Sequence, residues 1–415
     1  MTIPRLTVSP LVRHAGFSYF PIAFVARLPF AMMVVGVLTL VVAERDSVAL
    51  GGLNAAVAGI GTALAGPLLG AAADRLGQRR VLVPLGLLNA VLLGAFVLVV
   101  GSSAPDLAVL ALSVLIGASA PQVPPLSRTR LVAIIKQRVQ PDRRESLLNG
   151  TMAYESAADE MVFIVGPFLV GLLATAIAPW VAIAGAAVLT SVFVTWFALH
   201  PTGRLQPGTA QQRAAQAPAR ELARLPLMTV VAGTLGVGIF FGATLTSLTG
   251  FLAVSGDGDR AGLLYGVMGI GSAALALGSA ALPQRFTPKA RWLVFGFLLL
   301  AAAIGYATAR SETGLLIALA VLGFGIGPTL VALYSLAAAL SPAGRSATTM
   351  TMLGSAVVVG QAVASALTGA VSAPIRSTSA PVTADATAWP TTTAEPSIVI
   401  VVAERPAGLS AAARL

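Results

Sequence analysis

Apolar residues run along this chain in blocks of about 20, the length an α-helix needs to cross a hydrocarbon core of about 30 Å. Short polar breaks separate the blocks, which fall at residues 17–42, 48–72, 81–101, 107–127, 148–175, 180–199, 227–254, 261–282, 292–309, 314–340 and 348–372. The pattern predicts eleven transmembrane helices, spans 1 to 11. The first block is too long for the core of a signal peptide and reads as the first span.

Composition agrees with a membrane solvent. Of 415 residues, 56% are apolar and 10% charged, and the mean hydropathy of +0.87 excludes a fully solvated surface. The absence of cysteine excludes disulfides, thiol nucleophiles and thiolate metal sites. His14 and His200 both fall at the edges of apolar runs, and no span brings together a nucleophile, a base and an orienting group. Neither enzymatic activity nor a cofactor or metal is expected.

The net charge of +10 would suggest a nucleic-acid partner in a soluble protein, but here its distribution follows topology. With the N-terminus inside, the inside segments hold Arg5, Arg13, Arg75, Arg79, Arg80, Arg128, Arg130, Lys136, Arg138, Arg143, Arg144, Arg204, Arg213, Arg220, Arg224, Arg285, Lys289, Arg291 and Arg345. The outside loops hold only Arg45, Arg260 and Arg310. This alternation fixes a cytoplasmic N-terminus and makes the lipid bilayer, not a polyanion, the expected partner.

A polar segment rich in Gln, Ala, Arg and Pro, 201–226, divides a six-span half, 1–200, from a five-span half, 227–372. The halves are faintly alike. LIGASAPQVPPL in span 4 and LGFGIGPTLVAL in span 10 share a glycine-rich start and a later proline, and the loops that follow read PDRRES and PAGRSA. Repetition of this kind points to an internally duplicated transporter.

The most specific motif is GAAADRLGQRR, Gly70 to Arg80, between spans 2 and 3. It resembles the signature of the major facilitator superfamily at Gly70, Asp74, Arg75, Gly77, Arg79 and Arg80, while Gln78 replaces a commonly basic residue. Gly70 would permit close helix approach, Gly77 would make the turn, and Asp74 could face a neighbouring helix N-terminus, together forming a cytoplasmic gating latch. The repeat-equivalent loop from Leu277 keeps only basic character. The resemblance implies an all-α transmembrane fold of two six-helix bundles with alternating access, moving a small solute across a bacterial plasma membrane as a monomer.

Span 5 is similar to the motif of drug and metabolite antiporters at Gly166, Pro167 and Gly171, but Ala153 and Val162 stand where that motif has further glycines. In span 4 the same branch places an arginine where this chain has Ser113. The resemblance therefore favours proton-coupled efflux, with solute uptake as the nearest alternative and a non-transporting truncated product as another. The family would also carry a twelfth span. Instead, residues 373–415 are rich in Pro, Ser, Thr and Ala and read as disordered, and out-of-frame translation of a GC-rich gene would account for them.

Ionisable residues inside spans are costly and mark functional candidates. Arg27 lies about 15 Å into the membrane at 1.5 Å per residue. Glu155 lies at similar depth in span 5, with Asp159 one turn further on the same face and Glu160 pointing about 100° away. An ion pair from Arg27 to Glu155 or Asp159 would either couple transport to protons or serve as a fixed tie within the N-terminal bundle. Arg128 and Arg130 follow Pro124 and Pro125, which should bend span 4, and would contact an anionic solute or anchor at lipid headgroups. Spans 7 to 11 carry no interior charge, leaving Phe240, Phe241, Thr244, Ser247, Tyr334 and Gln361 as candidates for an amphipathic solute or for helix packing.

Overall fold

The computed structural model describes residues 10–204, 216–254, 261–283, 285–309 and 311–378. Arg5, Arg213, Arg260, Arg310 and residues 379–415 lie outside the described residues. Within them the protein is all-helical, and eleven helical stretches are long and apolar enough to cross a membrane.

These spans are Tyr19–Arg45, Leu50–Leu76, Gln78–Val100, Asp106–Arg138, Pro141–Ala176, Pro179–Leu199, Leu225–Leu248, Leu264–Ala281, Pro288–Ala307, Thr313–Leu340 and Ser346–Thr368. The last helix continues to Thr378, so its end lies beyond the predicted boundary at 372 and inside the segment expected to be disordered. Leu64, Leu68, Val91, Leu98 and Phe297 all point outward. In water such a surface would drive association; in a bilayer it matches the surrounding solvent.

Two spans expected to be continuous are broken. Span 1 consists of Tyr19–Val25 and Leu28–Arg45, with Ala26 and Arg27 at the break. Pro29 explains the position, because its ring opposes the carbonyl four residues earlier, at Val25, where the first piece ends. Span 4 consists of Asp106–Ala118 and Val123–Arg138, with Pro124 and Pro125 opening the second piece, where a missing N–H costs least. That second piece carries Arg128, Arg130, Lys136 and Arg138 on a helix that continues past the predicted boundary at 127. Arg128 and Arg130 are almost wholly buried, which corrects the headgroup-anchor alternative for both.

Spans 1, 3, 4 and 6 share apolar clusters in the first half, and spans 7 to 11 share one in the second. Val132, Met152, Ala153 and Ala157, from spans 4 and 5, also belong to the second cluster. The halves meet along two seams, span 2 against span 11 and span 5 against span 8. On the cytoplasmic side the linker docks on the loop before span 11: Ala217 N donates to Ala343 O at 3.0 Å, Gln216 Nε2 to Gly344 O at 2.9 Å, and Arg345 Nε to Ala217 O at 2.5 Å.

Because the chain has no native cysteine, single cysteines report topology directly. Ser103→Cys, in the exposed turn after span 3, should react with an impermeant maleimide added to intact cells. Arg79→Cys should react only after the cells are opened. The reverse pattern would invert the orientation inferred from charge.

Candidate functional site

Span 2 ends in the Gly70–Arg80 motif, and Asp74 there is buried against the start of span 11. Its Oδ1 accepts from Ala347 N at 2.9 Å, and its Oδ2 accepts from Thr348 N at 2.8 Å and Thr348 Oγ1 at 2.7 Å. These N–H groups belong to the first turn of the helix that begins at Ser346, where they have no partner within the helix and the dipole favours negative charge. Gly70 makes the approach possible: a Cβ there would lie 2.1 Å from Thr351 Oγ1 and 2.8 Å from Ala347 O. Gly77 has φ +88°, a turn conformation that side chains resist. Arg75, Arg79 and Arg80 are exposed. Gln78 is wholly buried; it donates to Leu126 O at 3.1 Å and accepts from Arg130 Nε at 2.6 Å.

The break in span 1 points Arg27 at span 5. Arg27 Nη2 lies 2.5 Å from Glu155 Oε2, and its Nη1 lies 3.4 Å from Asp159 Oδ1. Arg128 reaches the same aspartate from span 4, with Nη2 2.6 Å from Asp159 Oδ2. Its guanidinium also stacks 3.9 Å over the ring of Tyr334 in span 10, which carries the cluster from one half of the protein to the other. Ser127 Oγ donates to Glu155 Oε1 at 2.9 Å. Among these charged side chains Asp159 is the most accessible, at 21%, against 0–2% for Arg27, Arg128 and Glu155.

Glu160 is buried apart from this cluster and accepts a hydrogen bond from Ser272 Oγ of span 8 at 2.9 Å. Arg130 also stands apart. It stacks on Phe197 at 3.8 Å and donates to Phe197 O at 2.7 Å, besides its bond to Gln78. Lys136 Nζ reaches Ala338 O at the inner end of span 10, at 3.4 Å.

Of the span 5 motif, Gly166 lies against span 1, where a Cβ would meet Ala31 Cβ at 2.6 Å. Pro167 sits inside the helix, and Gly171 is exposed with nothing near it. Ser113, at the antiporter arginine position, donates to Asn54 Oδ1 at 2.7 Å. Thr244 and Ser247 gather around Tyr306, whose Oη lies 3.0 Å from Ser247 Oγ, while Phe240 and Phe241 pack on the second-half core. The carbonyl of Gln361 lies in the contact between spans 7 and 11. Only Tyr334 of this group joins the charge cluster. Tyr19, Ser127, Ser272 and the partnership of Gln78 with Arg130 escaped the sequence reading, because neutral residues in an apolar helix carry no marker of which neighbour they meet.

An eleven-span helical protein with a helix-dipole latch on one side and a mid-membrane charge cluster has the architecture of a membrane transporter. The sequence matches the family model of the Major Facilitator Superfamily over residues 19–372, and the chain belongs to that family. It is a transporter and not an enzyme. Among solved structures it is similar to the human organic anion transporter MFSD10 (TETRAN), at 18% identity and a TM-score of 0.63, over 88% of this chain and 94% of that one. It is also similar to a bacterial homologue of the iron transporter ferroportin in an outward-facing state with soaked iron, at 14% identity and a TM-score of 0.61, over 85% and 91% of the two chains. No curated protein sequence matches it.

Two outcomes follow from this geometry. Asp74→Asn removes charge-assisted bonds worth about 1.5–3 kcal/mol each, so the cytoplasmic contact between spans 2 and 11 should loosen. A cysteine at Ser355, which span 11 turns towards Gly66 of span 2, should then be labelled from the cytoplasmic side faster than in the Asp74 background, by roughly tenfold per 1.4 kcal/mol. Arg27→Met alone leaves Glu155 buried and unpaired and should cost about 3–5 kcal/mol, whereas Arg27→Met with Glu155→Met should recover most of that. Thermal unfolding in detergent compares the two.

Proposed function

We propose that this transporter exports a small amphipathic solute in exchange for protons, working as a monomer in the bacterial plasma membrane. The observation that carries the reading is the sharing of Asp159 by Arg27 and Arg128, at 3.4 and 2.6 Å. Arg128 pairs with this partly accessible carboxylate and Arg27 shares it while holding Glu155 more closely, so a proton placed on Asp159 removes the charge that Arg128 faces and one of the two that Arg27 faces. Arg128 then loses its tie to span 5 while keeping its stack on Tyr334 in the other half. A single protonation thereby alters the balance of contacts between the halves, which is what coupling requires of a two-state transporter.

Several neighbouring groups support a polar contact with solute at this level. Arg27 Nε, Arg128 Nε and Ser156 Oγ are buried with no hydrogen-bond partner among the described residues. The ring of Tyr334 supplies an aromatic surface beside Arg128, which suits a solute with both polar and apolar parts. In this reading the Asp74 contact is the inner gate, broken each time the site opens to the cytoplasm. Export is favoured over uptake by the Gly166–Pro167 pair in span 5.

Inverted vesicles loaded with a pH-sensitive dye test this. Adding a panel of amphipathic solutes should release protons into the medium from vesicles holding the native chain. Asp159→Asn and Glu155→Gln, made separately, should each lower gradient-driven flux at least about a hundredfold, the scale of a lost proton-transfer group. Retention of gradient-driven flux by both variants would remove the coupling role.

A further inference from the structure

Span 11 begins without a capping side chain of its own. The residue before Ser346 is Arg345, whose carbonyl oxygen accepts from Thr349 N at 2.9 Å but whose guanidinium has no lone pair to offer the first turn. A capping oxygen would take its bonds from the second and third helical residues, here Ala347 and Thr348. Those are the two N–H groups that Asp74 holds. The cap of a second-half helix is thus a carboxylate of the first half.

Arg345 itself is placed by two segments that meet at it. Within the chain, a turn over residues 342–345 closes with Arg345 N donating to Pro342 O at 3.0 Å. Gly344 supplies the positive φ, +69°, that the third position of such a turn favours. From the linker, Ala217 O accepts from Nε of the buried Arg345 side chain at 2.5 Å, and Ala217 N donates in return to Ala343 O at 3.0 Å. Gln216 Nε2 adds a third bond, to Gly344 O at 2.9 Å. The two segments lie so close that a Cβ on Gly344 would meet Gln216 Cα at 3.3 Å. Arg345 is also near enough to Asp74 for its charge to act on that carboxylate.

We propose that Arg345 is a positioning residue of the inner gate: clasped by Gln216 and Ala217 of the linker, it aims the first turn of span 11 at Asp74. The inference rests on the reading of the Asp74 contact as that gate. When the linker lets go, the turn is free to shift, the N–H groups of Ala347 and Thr348 lose their aim, and the cap weakens with no change at Asp74 itself. The segment joining the two halves thereby biases the equilibrium between the closed and the open inner face.

Labelling of Ser355→Cys by an impermeant maleimide in inverted vesicles, with the full-length chain, needs no knowledge of the solute. Arg345→Met removes the side-chain bond to Ala217, and Ala217→Pro removes the N–H given to Ala343 while leaving Arg345 in place. Each should speed labelling at least about threefold, the scale of one lost hydrogen bond. In the Asp74→Asn background, where the cap is already weakened, neither should add a further factor. Unchanged labelling in both variants, with Asp74→Asn still fast, overturns the proposal and leaves the gate reading standing. Equal factors in both backgrounds also overturn it, because the linker would then act independently of Asp74. Native labelling in Asp74→Asn removes the gate and the role of Arg345 with it.

Discussion

A guanidinium halfway across a hydrocarbon layer has no water to turn to, and its charge has to be met by the protein itself. Arg27 and Arg128 impose that condition on everything around them. Span 1 breaks so that Arg27 can face span 5, span 5 presents Glu155 and Asp159 one turn apart, and the second piece of span 4 delivers Arg128 to the same aspartate. Three helices are thereby held in one register by charge. Apolar packing alone, in a solvent as apolar as the helices, would set that register much less sharply.

The seam between spans 2 and 11 follows a different rule. There a carboxylate meets the partial positive charge of a helix start instead of a side-chain cation, and closeness is secured by the missing side chain of Gly70. Such a contact is strong while the helices are in register and vanishes over a small displacement, because its donors are fixed to the backbone. The cluster around Asp159 behaves otherwise, since long arginine side chains can follow a moving partner. The first junction joins the two halves directly, and the second reaches the other half through the stack of Arg128 on Tyr334.

Much of this was legible in the sequence. The number of spans and the Gly70–Arg80 loop came from hydropathy and spacing, which depend on the bilayer and not on neighbours. The breaks were less legible: Pro29, Pro124 and Pro125 are visible, yet hydropathy cannot tell a kink from two helices meeting end to end. Arg128 and Arg130 illustrate the limit most clearly. In sequence they follow two prolines at the end of an apolar run and look like a loop, but the chain continues as a helix that turns them inward, one onto Asp159 and the other onto Gln78 and Phe197. Gln78 looked like a simple departure from the family pattern. In place, it is the polar partner that lets an arginine without a carboxylate remain buried.

The docking of the linker onto Ala343, Gly344 and Arg345 ties the polypeptide between the halves to the loop that precedes the helix start held by Asp74. The linker is therefore anchored at its far end, and its length becomes a mechanical variable. Lengthening it costs little in closure entropy, since each doubling of a flexible loop adds only about 0.6 kcal/mol. Cutting it would leave both halves embedded in the membrane, yet it would turn the strap beside the Asp74 contact from an intramolecular contact into one end of a free chain.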